Sequence, residues 1–304
     1  MTDLAILYEH PFWFEPLFGA LSARGISAQK IHADGLCFDP SSAIVPAPLV
    51  FNRIAMSSFL RAPEHPIFFA RSLLAHWQRL GARVLNGVRA LETDASKASQ
   101  LSLIAGLGHG IPATRVVHRR ADLISATQGL RWPLVVKANI GGSGAGIMRY
   151  DDLAALEQAV ATGAVPDSID RVLLVQEYVP VRGGAITRIE TLGGRYLYAI
   201  EVDGGGAFDL CPADACLVDG KPSIMRRAAE PDPAIIDAAE RIVQAAGIDV
   251  GGVEMMIDDR DGVPRFYDIN ALSNFVAKPL DILGWDPHER LVDWLVQRIA
   301  DAKA

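Results

Sequence analysis

The chain has 304 residues, half of them hydrophobic, with 36 acidic against 29 basic side chains and a formal charge of −7. That is enough apolar sequence for a sizeable core and roughly two domains, and an acidic balance without a basic stretch argues against nucleic acid as the main partner. The three cysteines, Cys37, Cys211 and Cys216, supply neither a disulfide framework nor a thiol-only zinc site, which fits a reducing cytoplasm. No basic leader precedes a long apolar run and no stretch of about 18 apolar residues occurs, so neither a signal peptide nor a membrane span is expected.

In chain order, Leu4 to Tyr8 predicts a buried strand and Glu15 to Arg24 a helix stopped by Gly25. Ile26 to Ile31, Leu49 to Asn52 and Ala82 to Leu85 predict further strands, with a helix from Phe68 to Leu80 before the last. The first 92 residues therefore suggest a small α/β layer. A dinucleotide-binding Rossmann domain would need its glycine fingerprint directly after the first strand, where His10-Pro11-Phe12-Trp13 stand instead.

Beyond Asp94, helices are expected over Ala95 to Leu107 and Ala121 to Gln128, separated by a short strand at Arg115 to Val117. The apolar strand Pro133 to Lys137 ends in a lysine and runs into Gly141-Gly142-Ser143-Gly144-Ala145-Gly146, then a strand-like Ile147 to Tyr150. Asp151 is the expected cap of a helix from Leu153 to about Thr162, and Val172 to Tyr178 predicts the next strand. Ile186 to Leu192 and Tyr196 to Val202 alternate as a hairpin about Gly193-Gly194, and a loop of about 20 residues, Asp203 to Pro222, follows. A helix from Pro233 to Ala246, strands at Val250 to Ile257 and Arg265 to Ile269, and a helix from Pro287 to about Ile299 complete the chain.

Three groups of residues suggest chemistry. Small glycines with a serine between two strands let several backbone N–H groups converge on an anion, as phosphate cradles require; the alternative is an ordinary flexible turn. The run is not a Walker A loop, because its lysine precedes the glycines, and Gly141-x-Ser143-x-Ala145 is a poor nucleophile elbow. Glu254 on one strand and Asp268 and Asn270 on the next bring three oxygen-bearing side chains together about the 258–262 turn, a set that suits Mg²⁺, or else forms the solvated face of an edge hairpin. Gln176-Glu177-Tyr178-Val179 is a strand exit able to offer backbone groups to a purine edge and an acid to an amino group or ribose, or is simply the start of a loop.

Lys97, Lys137 before the glycines, Glu177 at a strand exit, and Glu254, Asp268 and Asn270 on a late hairpin together resemble the ATP-grasp superfamily. The similarity is nearest to its carboxylate-amine ligases, which include ribosomal-protein glutamate ligase, D-alanine-D-alanine ligase and glutathione synthetase. It runs from about Leu85 to Ala277, with Val135 to Gly144 as the strongest block. The resemblance implies an α/β (α+β) ATP-grasp fold: a pre-ATP-grasp α/β domain over residues 1–92, an N-terminal lid subdomain over 93–178 and a C-terminal metal-binding, antiparallel-sheet subdomain over 179–304. It also implies that Lys97 and Lys137 contact ATP phosphates, that Gly142, Ser143 and Gly144 form a lid, and that Gln176, Glu177 and the Val179 backbone hold adenine. Glu254, Asp268 and Asn270 would bind one or two Mg²⁺, with Mn²⁺ as a substitute, and Arg188 would join Lys137 as a catalytic residue facing the γ-phosphate or acyl phosphate.

The implied reaction is ATP-dependent activation of a carboxylate as an acyl phosphate, attacked by an amine with release of ADP and phosphate. Small-molecule carboxylate and amine substrates are the implied partners; a peptide or protein acceptor and a homo-oligomer are compatible, and nucleic acid and membrane are not expected. Alternatives are a ligase using a thiol or other nucleophile, a kinase, or a catalytically silent ATP-binding regulatory module. This chain departs from the family pattern at Asp268, where glutamate is usual, at Ala271 to Phe275, which replace a small-Pro-Gly run facing substrate, and at Ile186, where relatives often carry an acid. Cys211 and Cys216 read as thiols of a covering loop, and Arg226 and Arg227 either as anion contacts or as an exposed basic pair.

Overall fold

Strand β1 (Leu4–Tyr8) is buried almost throughout because it lies inside a parallel sheet, where both faces are covered and the apolar run need not alternate. Helix α1 (Glu15–Ala23) carries a proline in its first turn, and Gly25, at φ 68°, turns the chain into β2 (Ala28–His32). Next come β3 (Leu49–Arg53), a 3₁₀ turn at Met56–Leu60, α2 (Ile67–Arg79) and β4 (Arg83–Leu85). The four strands form one parallel sheet in the order β2-β1-β3-β4, the α/β layer expected from the sequence. The computed structural model describes residues 2–10, 12–142, 146–203, 217–218, 221–222, 224–228, 230–276 and 278–303.

The helix expected over Ala95–Leu107 is present, and a separate helix that the sequence did not suggest precedes it. Helix α3 (Val88–Asp94) stops before Ser96, whose hydroxyl accepts from the Ser99 N–H and starts α4 (Lys97–Gly106). After β5 (Thr114–Val117), the helix expected over Ala121–Gln128 shrinks to a 3₁₀ turn at Arg120–Asp122 and one turn of α5 (Leu123–Ala126). Only Leu123 of α5 is buried, so little apolar packing supports a longer helix. Strands β6 (Leu134–Ala138) and β7 (Ile147–Tyr150), helix α6 (Leu153–Thr162) and β8 (Leu173–Glu177) complete an antiparallel sheet in the order β5-β8-β6-β7. Asp152 rather than Asp151 caps α6, accepting from the Ala155 N–H at 2.8 Å.

The hairpin β9 (Ala185–Leu192) and β10 (Arg195–Asp203) follows. Within the segment expected to be a structureless loop, β11 (Leu217–Val218) pairs with β12 (Lys221–Pro222). Just after it, β13 (Ile224–Arg227) pairs antiparallel with β10, and Arg226 donates to Glu201 at 2.5 Å, so the Arg226–Arg227 pair lies on an edge strand. Helix α7 (Pro233–Ala246), β14 (Val250–Ile257), β15 (Pro264–Asn270), the short α8 (Pro279–Ile282) and α9 (Pro287–Lys303) close the chain. The second antiparallel sheet has the order β13-β10-β9-β14-β15.

The cores do not follow chain order. Ala90 of α3 and Ile104 of α4 share a core with Ile242 of α7, Val253 and Ile269, so residues 88–106 lie against the late five-stranded sheet. Leu291, Val292 and Leu295 of α9 pack with Leu4, Ile6, Phe14 and Phe51 of the first layer. Among the described residues no helix is long and apolar enough to cross a membrane. Cys37 is exposed and free; Cys211, Cys216, Ser143 and Gly144 lie outside the described residues.

Candidate active site

One face of the five-stranded sheet is apolar and covered by α7 and α4; the other carries Arg188, Glu190, Glu254, Asp268 and Asn270. Strand alternation sends Val253 and Met255 into the core and Glu254 to the opposite face. Glu254 stands opposite Asp268 in the β14–β15 ladder, with Gly252 opposite Asn270. Between Glu254 and Met255 the register slips, leaving Tyr267 as the extra residue of a bulge, so that Phe266 and Ile269, three apart, both reach the core. The bulge also lets the Tyr267 hydroxyl donate to Glu254 Oε2 at 3.0 Å. The ladder requires Gly251, because a Cβ there would collide with the Asn270 carbonyl oxygen.

Glu254 is 3% exposed. Its Oε1 accepts from Arg188 Nη1 and from Asn270 Nδ2, each at 3.2 Å. Burial raises its pKa and Asp268 raises it further, while Arg188 and Lys97 oppose both. Arg188 Nε also donates to Glu190 Oε1 at 2.6 Å. Burial disfavours the Arg188 cation, but Glu190 and Glu254 outweigh that and hold its pKa above the ordinary arginine value. Among the described residues no three His, Cys, Asp or Glu side chains group as a metal site. The donor set here is two carboxylates and the Asn270 amide oxygen, held together by Arg188 and Lys97 as counter-charges, and such a set suits a hard cation that keeps part of its water shell.

The two lysines arrive from different elements, a strand and a helix. Lys137, near the end of β6, is buried, and its pKa falls to about 7 through desolvation and the neighbouring Lys97, against the pull of Asp268 and Glu254. Lys97 begins α4 and forms an ion pair with Asp268. Two amide side chains fix α4. Gln100 donates to the Ile269 carbonyl at 2.9 Å and accepts from the Ile269 N–H at 3.0 Å; Asn139, two residues after Lys137, accepts from the Ala98 N–H at 2.9 Å. Lys97, Lys137, Arg188, Glu254, Asp268 and Asn270 thus lie in one electrostatic neighbourhood.

The strand exit is arranged differently. Gln176 Nε2 donates to Thr114 Oγ1 at 2.8 Å, and Glu177 accepts from the Arg131 N–H at 2.9 Å, from Arg131 Nε at 3.1 Å and from Arg260 Nη1 at 3.2 Å. Both side chains are engaged within the protein, which leaves the backbone around Val179 as the surface this segment can offer a base. Gly142 packs on the first layer: a Cβ there would lie 2.8 Å from Ser57 Cβ.

Sequence reasoning overlooked several residues. Asp94, at the end of α3, is partly buried, and desolvation followed by Asp268 lifts its pKa to about 7. Asn86, at φ 48°, ties the layers together, donating to the carbonyls of Val250 at 2.7 Å and Ala271 at 2.6 Å and accepting from the Asp249 N–H at 2.8 Å. Glu190 was legible in principle, two residues from Arg188 on the same strand face; Tyr267 was not, because only the bulge turns it to the site. Arg53, at the carboxyl end of β3, is buried as well.

No protein-family model matches the chain. It is 26% identical over 234 residues to a probable alpha-L-glutamate ligase of Citrobacter koseri, covering 75% of this chain and 72% of the relative. It is likewise 26% identical over 237 residues to the ribosomal protein bS6–L-glutamate ligase of Salmonella paratyphi B, with coverage of 75% and 72%. Among solved structures, the ATP-grasp ligase PsnB complexed with minimal precursor, Mg and ADP superposes with a TM-score of 0.68 at 16% identity, covering 98% of each chain. The fold is that of the ATP-grasp ligases.

Proposed function

From the premise that this chain is an ATP-grasp ligase, we propose that it activates a carboxylate as an acyl phosphate for attack by an amine at the cluster around Glu254. The observation that carries this reading is the facing of Glu254 and Asp268 across one ladder, with Lys97, Lys137 and Arg188 brought to them from three other elements. Glu254, Asp268 and Asn270 would hold one or two Mg²⁺; Mg²⁺, when bound, offsets phosphate charge during transfer. Lys137 and Lys97 would grip the triphosphate from opposite sides, and Arg188, released from part of its pairing, would face the γ-phosphate and the acyl phosphate. Gly142, Ser143 and Gly144 would cover the phosphates and exclude water, while the backbone around Gln176, Glu177 and Val179 would receive adenine.

The division into 1–92, 93–178 and 179–304 is proposed for the same reason, each segment carrying one main sheet, with the amendment that residues 88–106 pack with the last. A peptide or protein as one substrate and a small molecule as the other is supported by the names of the bS6 ligase and of the PsnB–precursor complex. A cytoplasmic location accords with an ATP-consuming enzyme.

Incubation with ATP, Mg²⁺ and pooled amino acids, carboxylic acids and peptides should release ADP, and ATP at a hundredfold excess over Kd should stabilise the fold by about 2.7 kcal/mol. Stabilisation without ADP release from any mixture would instead favour the silent nucleotide-binding module.

A further inference from the structure

The antiparallel sheet that carries Lys137 has a second face. Val136, Leu173 and Val175 turn to the side covered by α5 and α6, where they share a core with Leu123 and Leu156, and strand alternation sends Lys137 to the other side. At the rim of the covered side, where β5 ends opposite the start of β8, lies an open cleft of about 310 Å³, within the range of small-molecule sites. Among the described residues it is lined by His118, Arg120, Asp167, Arg171 and Leu173. None of these five belongs to the cluster around Glu254.

The charges of the cleft are arranged for an anion. Arg120 and Arg171 come from different segments and meet on one carboxylate, Asp167, each at 3.5 Å. That is well beyond the length of a charge-assisted hydrogen bond. The adjacent Arg119 shows the contrast, gripping Asp122 with both Nε and Nη2 at 2.7 and 2.6 Å. A planar carboxylate gives each cleft arginine one oxygen at long range, whereas the terminal oxygens of a phosphate monoester can serve two guanidinium forks at once. Arg171 also stands at φ 65°, uncommon for a residue with a side chain, in a turn closed by its N–H on the Ser168 carbonyl at 2.9 Å.

This turn braces the nucleotide side of the sheet. Ser168, which is buried, donates its hydroxyl to Asp170 Oδ1 at 2.6 Å and accepts from the Ile140 N–H at 3.2 Å, and Asp170 Oδ2 accepts from Asn139 Nδ2 at 2.6 Å. Asn139 in turn accepts the Lys97 N–H on its carbonyl at 3.2 Å and the Ala98 N–H on its side chain at 2.9 Å. A Cβ on Gly146 would lie 3.8 Å from the Asp167 carbonyl oxygen. Residues 167–170 therefore touch both flanks of the glycine run and, through Asn139, the start of the helix that carries Lys97.

We infer that the cleft is a second ligand site, for a small phosphate monoester, whose phosphate displaces Asp167 from Arg120 and Arg171 and whose occupancy tightens nucleotide binding through the 167–171 turn. The inference goes beyond the ligase reading, because the cleft takes its ligand whatever reaction the Glu254 cluster performs.

The test is calorimetry with phenyl phosphate on protein saturated with a non-hydrolysable ATP analogue and Mg²⁺, so that the phosphate positions of the nucleotide site are filled. Phenyl phosphate should bind about tenfold more tightly than benzoate. The double variant Arg120→Met, Arg171→Met should lose on the order of 100-fold. Asp167→Asn removes the competing charge, keeps the side-chain oxygen that accepts from the Ser168 N–H, and should gain about tenfold. All three residues are exposed, so the fold withstands these changes. A phosphoserine peptide should bind no more tightly than phosphoserine itself. In the reverse titration, saturating phenyl phosphate should tighten the analogue about fivefold in the wild-type protein and leave it unchanged in the double variant, whose affinity for the analogue alone should equal that of the wild type. Equal binding of phenyl phosphate and benzoate, an affinity unaltered by the double variant, or an analogue indifferent to phenyl phosphate overturns the proposal while leaving the ligase reading in place, and a peptide that outbinds phosphoserine overturns the assignment to a small ligand. Failure to bind the analogue overturns the ligase reading, and titration of phenyl phosphate into the free protein and the double variant then decides the cleft separately.

Discussion

Glu177 and Glu254 are both strand glutamates with almost no exposed surface, 6% and 3% respectively, yet their surroundings push them in opposite directions. Burial alone would raise the pKa of Glu177, but the Arg131 N–H, the Arg131 guanidinium and Arg260 more than compensate and hold it below the ordinary glutamate value. Glu254 is raised by burial and then by Asp268, and its cations, Arg188 and Lys97, are shared with other carboxylates. A carboxylate saturated by its own protein is part of the scaffold, whereas two carboxylates facing each other on limited counter-charge suit an added cation. The same residue type in similar burial therefore meets two different electrostatic surroundings, and hydrogen-bond partners distinguish them.

The contrast can be broken at either end. Glu254→Ala should lower Mg²⁺-dependent ADP release on the order of 1,000-fold while circular dichroism stays native; retained turnover would remove Glu254 from the metal site. Gly251→Ala should force β14 away from the Asn270 carbonyl, cost about 2–4 kcal/mol in denaturant unfolding and reduce activity together with stability.

Lys137→Ala should weaken ATP binding by about 100-fold, and Lys97→Ala by less, because Lys97 already shares Asp268. The Lys137 pKa is lowered to about 7, and a side chain paired with a phosphate would hold its proton to higher pH. ATP affinity should therefore fall as pH rises above about 7, by up to tenfold per unit, and Lys137→Ala should flatten that slope in calorimetric titrations.

Glu177→Gln should have the smallest catalytic effect, within a few-fold in kcat/KM, with a stability loss of about 1–2 kcal/mol at neutral pH. Because the folded-state pKa of Glu177 lies below the unfolded value near 4.5, its stabilisation is complete above that value and disappears as pH falls through the folded one. The variant should lack that part of the acid-side slope in urea midpoints.

Much of the site was legible because its signals are local. Lysine before the glycines and the Glu254, Asp268 and Asn270 spacing about a turn need only strand alternation to be read together. Glu177 was legible as a strand-exit acid, but not as an internally satisfied one, since Arg131 and Arg260 come from positions 46 residues before and 83 after it. Arg53 and Asn86 gave no signal: a polar residue at a strand end is ordinarily exposed, and only the docking of the first layer on β14 and the 271–275 segment buries them.

The amino-acid sequence by itself determined the order of most of the longer strands and helices, the lysine–glycine block and the acidic hairpin, because periodicity and turn chemistry act over a few neighbouring residues. Only the tertiary structure decided that α3 and α4 join the late sheet, that α9 joins the first layer, and that a bulge swings Tyr267 beside Glu254. Those outcomes depend on which apolar faces find each other across the whole chain and on where backbone registers slip, and neither is encoded in the spacing of adjacent residues.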